Sequence, residues 1–199
     1  MALKLEATKN TKKREQQPLP KEGVRPARLV SVIDLGIQER EPWKGKEKPP
    51  IQQIRLEFDL VDDLHIFDED KGELPFRRSP WDLNVSIDSE TGEPWKNSNL
   101  YDWWKALDPT NKFDLDFTKM LGQAIFLTVT YDDSDGITYA NISNPSPVPD
   151  MPGFEVAKTP NALFYFDMDE GDLEKFNILP DFIKDKMRAA INFNMENAE

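Results

Sequence analysis

Residues 51–62, IQQIRLEFDLVD, constrain the fold more than any other stretch of this chain. Ile54, Leu56, Phe58 and Leu60 alternate with Gln53, Arg55, Glu57 and Asp59, the period of two that a strand with one buried face requires. A helix would scatter those apolar side chains around its circumference, so the chain must build a sheet here, with a core on one side. Upstream, VRPARLVSVIDLGIQ is a second β-rich run that closes on Gly36, with a bulge or bend expected near residues 34–36. The two runs flank REPWKGKEKPP, residues 40–50, as the arms of a long hairpin would.

Further along, the acidic DDLHIFDEDKGELPF reads as a loop leading to a third strand in RRSPWDLNVSIDS. There Trp81, Leu83, Val85 and Ile87 alternate, and Pro80 marks an edge or strand entry. NSNLYDWWKALDP is a short helix, with Ser98 or Asn97 as N-cap, apolar Leu100, Trp103, Trp104 and Leu107, and Pro109 as the stop. FTKMLG reads as a second helical piece, and AIFLTVTY and ITYANIS as two strands around the Asp-Gly turn of DDSDG. Three strands, a helical insertion and two strands is the order of the OB-fold, although other small barrels share it. The expected fold is mainly β: a five-stranded OB-fold barrel with a helix between strands three and four, plus a C-terminal helical segment. Residues 1–21 form a flexible basic arm and residues 22–149 the barrel. Residues 150–199 are a Pro-rich connector and an acidic segment ending in a helix, with Phe182, Ile183, Met187, Ala190 and Ile191 on one stripe.

Composition removes several kinds of chemistry. With no cysteine and the single histidine His65, the chain has no disulfide, no thiolate nucleophile and no multi-histidine metal site. It carries no P-loop, nucleophile-elbow or HExxH signature, and the acidic runs DEDKGE and DDSDG read as solvated turns. No catalytic residue, metal ligand or cofactor is expected. No apolar run approaches the roughly 20 residues of a membrane span. MALKLEATKNTKKREQQ also lacks the apolar block of a signal peptide, so a soluble intracellular protein is expected.

The net charge of -12 conceals an asymmetry: residues 1–60 hold 13 Lys or Arg against 9 Asp or Glu, and the remainder 12 against 28. Phosphate attraction is local and screened beyond about 8 Å in physiological salt. An acidic chain therefore binds nucleic acid where its cations converge. Residues 40–50 supply Arg40, Lys44, Lys46 and Lys48 for phosphates and Trp43 as a stacking platform. A second cluster, PFRRSPW, offers Phe76, Arg77, Arg78 and Trp81. Gln53 and Arg55 extend the groove on the non-core face of strand two, where Glu57 and Asp59 confine it to one end. The bland alternatives are a solvated loop with Trp43 packed back on the barrel, a core Trp81, and arginines that answer the acidic loop.

Taken together, RPARLVSVIDLGIQ, WKGKEKPP, IQQIRLEFDL, NSNLYDWWKAL, MLGQAIFLTV and YANISNPSPVP resemble phage-encoded single-stranded DNA-binding proteins of the OB-fold kind, over roughly residues 22–149. The resemblance implies a non-catalytic protein of the bacterial host's cytoplasm. Such a protein binds and protects single-stranded DNA, with little sequence preference, during phage DNA replication or recombination. It also implies self-association on DNA and recruitment of replication or recombination proteins by an acidic C-terminal segment. The final MENAE is only weakly acidic, so DMDEGDLEK at 167–175 is the candidate for that role. The rival reading is a protein-interaction module of the same machinery without DNA affinity of its own.

Overall fold

A computed structural model describes residues 16–195. Residues 1–15 of the expected basic arm, and Glu196 and Glu199 of the final segment, lie outside the described residues. Two long strands organise the molecule. β1 (Gly23–Trp43) and β2 (Lys46–Asp68) pair antiparallel from Ala27 opposite Leu60 to Trp43 opposite Lys46. Lys44 and Gly45 join them with φ of 51° and 74°, the type I′ geometry that follows the right-handed twist of a ribbon. The stretch expected as a loop at 40–50 is therefore the end of a β-ribbon. The expected bulge is present as a register shift between Asp34 and Ile37 that contains Gly36 at φ 73°.

Each long strand serves two neighbours end to end. β3 (Gly72–Arg78) and β4 (Leu83–Asn84) share β2. β5 (Ala124–Ser134) pairs antiparallel with the start of β1, and β7 (Phe164–Phe166) pairs parallel with residues 31–33. β6 (Ile137–Pro147) returns along β5 through the Asp135–Gly136 turn, as expected. Among the described residues this gives a mainly β, seven-stranded sheet of path order β3-β2-β1-β5-β6, open between β3 and β6. The fold is mainly β as expected, but its sheet has seven strands and does not close into the expected five-stranded barrel. Pro80 ends the run after β3, and Pro145 and Pro147 lie at the end of β6; none of them can donate to a ladder. The third strand accordingly starts earlier than expected, inside the supposed loop, and ends at Arg78; after Pro80 only Leu83–Asn84 joins the sheet, with an isolated bridge between Ile87 and Pro94. FTKMLG forms successive turns, with Met120 N donating to Phe117 O at 3.2 Å, and no helix.

One face of β1 and β2 carries the first core: Ala27, Leu29, Val32, Ile54, Leu56, Phe58 and Leu60. Against it packs α1 (Asn99–Leu107), started by Ser98, whose side chain accepts from Tyr101 N. Both adjacent indoles are buried there, Trp103 with its ring 5.0 Å from Phe58 and Trp104 5.8 Å from Tyr101. Their directions differ by about 100° around the helix, so α1 is enclosed on more than one side.

The opposite face carries a second core. A register shift between Leu29 and Ser31 reverses the alternation of β1, so Ile33 and Leu35 point away from the first core. Phe166 of β7, Phe176 of α2 (Leu173–Asn177), and Ile183 and Met187 of α3 (Asp181–Arg188) close on them. Of the expected C-terminal stripe, Ile183, Met187 and Ala190 are buried, while Phe182 and Ile191 are exposed. A Cβ at Gly36 would stand 2.7 Å from Asn192 Oδ1 and from Met168 Sδ, so the glycine is where this segment can close on β1. The connector is pinned as well: Arg28 Nε donates to Ala157 O at 2.6 Å, and buried Asp59 accepts from Asn161 Nδ2 at 2.7 Å. Among the described residues no helix is long and apolar enough to cross a membrane.

Candidate nucleic-acid interface

The tip of the ribbon is a cluster of cations around one indole. Trp43 is 58% exposed, with Lys44 Nζ 4.2 Å and Lys48 Nζ 5.5 Å from its ring centre. Lys46 is its cross-strand neighbour, and Arg40 lies opposite Lys48. Cation–π attraction orders this group at the surface. Among the described residues, Arg40, Lys44, Lys46 and Lys48 have no carboxylate partner. Exposed Glu41 and Glu47 stand in the same ribbon, so attraction for an anion comes from where the cations sit and much less from the local net charge.

The second group of expected residues is mostly committed elsewhere. Arg55 Nη1 donates to Asp82 Oδ1 at 2.9 Å, Nε faces Glu57 Oε1 at 3.4 Å, and its guanidinium lies 5.2 Å from the ring centre of Phe182. Lys186 Nζ takes the other Asp82 oxygen at 2.6 Å. Arg77 Nε donates to Asp59 Oδ1 at 3.0 Å, and Gln53 Nε2 to Asn84 Oδ1 at 2.8 Å. Phe76 is 3% exposed and packs on His65 and Phe67, with ring centres 5.5 and 5.1 Å away, so no base can reach its face. Arg78 is half-buried, donates to Arg77 O at 2.8 Å, and has its pKa lowered by burial. The groove expected over Gln53, Arg55, Phe76 and Arg77 is thus filled by carboxylates and by the C-terminal segment. Glu57 and Asp59 were visible beside Arg55 in the sequence, whereas Asp82, Phe182 and Lys186 come from distant segments with no local sign of the contact.

Trp81 behaves differently. It is 85% exposed and stands at the mouth of a trough of about 830 Å³ between α1 and the end of β6. Asn99, Asp102 and Lys105 line the α1 wall, and Ser143 and Asn144 the β6 wall. There a register shift between Phe126 and Thr128 accompanies a φ of 48° at Asn144. A hollow of about 310 Å³ shares Leu83 and Asn99 with the trough and reaches Arg40 on the ribbon. The hollow at the ribbon and the trough on the open side of the sheet therefore adjoin at Leu83 and Asn99. Asn99, Lys105 and Asn144 were not anticipated as site residues, because α1 reads from its apolar spacing as a core helix and the bulge of β6 leaves no alternation to follow.

An exposed indole, unpaired cations and neutral amides suit a ligand that combines anionic groups with flat rings. Among the described residues no three or more His, Asp or Glu side chains converge to hold a metal ion. No protein-family model, curated protein or solved structure matches the chain.

Proposed function

We propose that the protein binds single-stranded DNA with little sequence preference and protects it during phage DNA replication or recombination. The observation that carries this reading is Trp43, solvent-facing at the end of a ribbon with two lysine ammonium groups at its ring and no carboxylate on the neighbouring cations. Base stacking on such a ring contributes about 1–3 kcal/mol per base regardless of base identity, and the lysines supply the phosphate contacts. The reading takes the sheet as an OB-type barrel opened along one side: β1, β2 and β3, then α1, then β5 laid on β1 and β6 on β5. No chemical step is assigned to it. The resemblance of its sequence to phage proteins supports a place in the cytoplasm of the bacterial host, self-association on DNA, and contact with replication or recombination proteins through the acidic C-terminal segment.

Fluorescence anisotropy of a labelled oligothymidylate tests this reading. Trp43→Ala weakens binding about 5- to 100-fold and leaves the thermal midpoint unchanged, because the ring lies outside both cores. Equal affinity of variant and wild type would remove Trp43 from the interface. A wild type that binds nothing at low salt would end the DNA reading. In that event exposed Ile178 and Phe182 favour the second one, a docking module for a protein of the same machinery.

A further inference from the structure

The cations of this surface fall into two sets. Arg55 of β2, Arg77 of β3 and Lys186 of α3, where the C-terminal segment meets the sheet, are each bonded to a carboxylate. Among the described residues Arg40 and Lys105 are not; Arg40 lines the hollow at the ribbon and Lys105 the adjoining trough beside α1. Asp82, at the rim, is neutralised by Arg55 and Lys186. Asp102 and Lys105, three residues apart on α1, are the carboxylate and the cation that line the trough, and Lys105 Nζ lies 3.7 Å from the ring centre of Trp104. Trp81 lines the trough together with Lys105, and among the described residues its indole has no cross-strand neighbour because it follows Pro80 beyond the end of β3. The trough is of the size that holds an organic ligand, about 300–1,000 Å³.

Resting on the single-stranded DNA reading, we infer that the strand does not cross the face of β2 and β3 but leaves the ribbon past Arg40 and enters the trough between β4, α1 and β6. Trp81 stacks a base there, Lys105 holds a phosphate, and Asn99 and Asn144 face base edges. The geometry makes the site bipartite. The ribbon tip engages the first nucleotides, and the trough is reached only by a strand long enough to span both parts.

The test compares wild type, Trp43→Ala, Trp81→Ala and Lys105→Gln for binding to oligothymidylates of about five and about twenty nucleotides, lengths that bracket single-module sites. Trp43→Ala weakens both lengths. Trp81→Ala and Lys105→Gln leave the short strand within about twofold and weaken the long one about tenfold, the effect of one lost stack or contact. Lys105→Gln also lowers the slope of log affinity against log salt by about 0.7, the value of one phosphate on a single strand. Trp81→Ala leaves the thermal midpoint unchanged, whereas Lys105→Gln lowers it slightly, since Lys105 Nζ lies 3.7 Å from the ring centre of buried Trp104. Undiminished affinity of both for the long strand, with Trp43→Ala impaired, overturns the route and leaves the DNA reading in place. Equal losses at both lengths overturn it too, since the trough would then not be the distal part. A wild type that binds neither length overturns both proposals.

Discussion

Three aromatic residues of the two basic clusters meet different fates because of where the ladders end. Phe76 lies opposite Leu60 within β3, so its ring is held inward among Leu60 and its neighbours. Trp43 belongs to the last pair before the turn, and Trp81 follows a proline with no ladder partner at all, so both indoles face solvent. Phe76→Ala should therefore cost about 3–5 kcal/mol of stability, measured by denaturant unfolding; a loss below about 1 kcal/mol would mean the ring is not core. Tyr165 gives a second residue-level outcome. Burial, followed by the hydrogen bond it donates to Asp167 and the charges of Asp167, Glu170 and Asp34, raises its phenol above the ordinary 10.0. The folded chain then keeps a proton that the unfolded chain loses. The associated stability is complete below pH 10.0 and declines as pH rises through the higher folded value. Tyr165→Phe removes that part of the alkaline decline, and thermal midpoints at about pH 9 and pH 11 measure it. An identical alkaline decline in both proteins would refute the assignment.

At the level of elements, the ribbon and the C-terminal segment meet at Gly36. Its φ of 73° and the 2.7 Å approach of Asn192 and Met168 leave no room for a side chain. Gly36→Ala should destabilise by about 1–3 kcal/mol and loosen the C-terminal segment first. Hydrogen exchange at Ile191 N, which donates to Ile37 O at 2.9 Å, should accelerate before exchange within β5 does; uniform acceleration would contradict this order. The elements most legible in the sequence were those specified locally. They are β2 from its alternation, the bulge from Gly36, α1 from Ser98 and its apolar spacing, and the β5–β6 turn from Asp135 and Gly136. β3 was misplaced because HIFDEDKGELPF carries more charge than a half-buried strand usually shows, and its apolar side chains serve only a short edge. β7 spans three residues, too few for any period to be read. The candidate site was half legible. Trp43, Lys44, Lys46 and Lys48 lie in one short ribbon where sequence neighbours are spatial neighbours, while the bonds that Arg55 and Arg77 make to Asp82 and Asp59 join different elements and leave no local sign.

For the whole molecule, the asymmetry of charge becomes a division of surfaces. The acidic C-terminal segment lies over the face of β2 that carries Arg55, and Asp59, Asp82 and Glu57 hold the arginines there. On the proposed function, the cations of the ribbon and trough that have no carboxylate partner among the described residues are the ones that meet phosphates. Affinity should then be limited by a handful of contacts and fall steeply with salt, each contact contributing about 0.7 to the slope on a single strand. The most direct measurement is titration of the intrinsic tryptophan fluorescence with poly(dT) and with duplex DNA at low and at high salt. Binding through exposed Trp43 and Trp81 requires that poly(dT) quench the emission at low salt, that duplex do so far less, and that high salt reverse the effect. Unchanged fluorescence at low salt, with no shift of the DNA on a native gel, would contradict it.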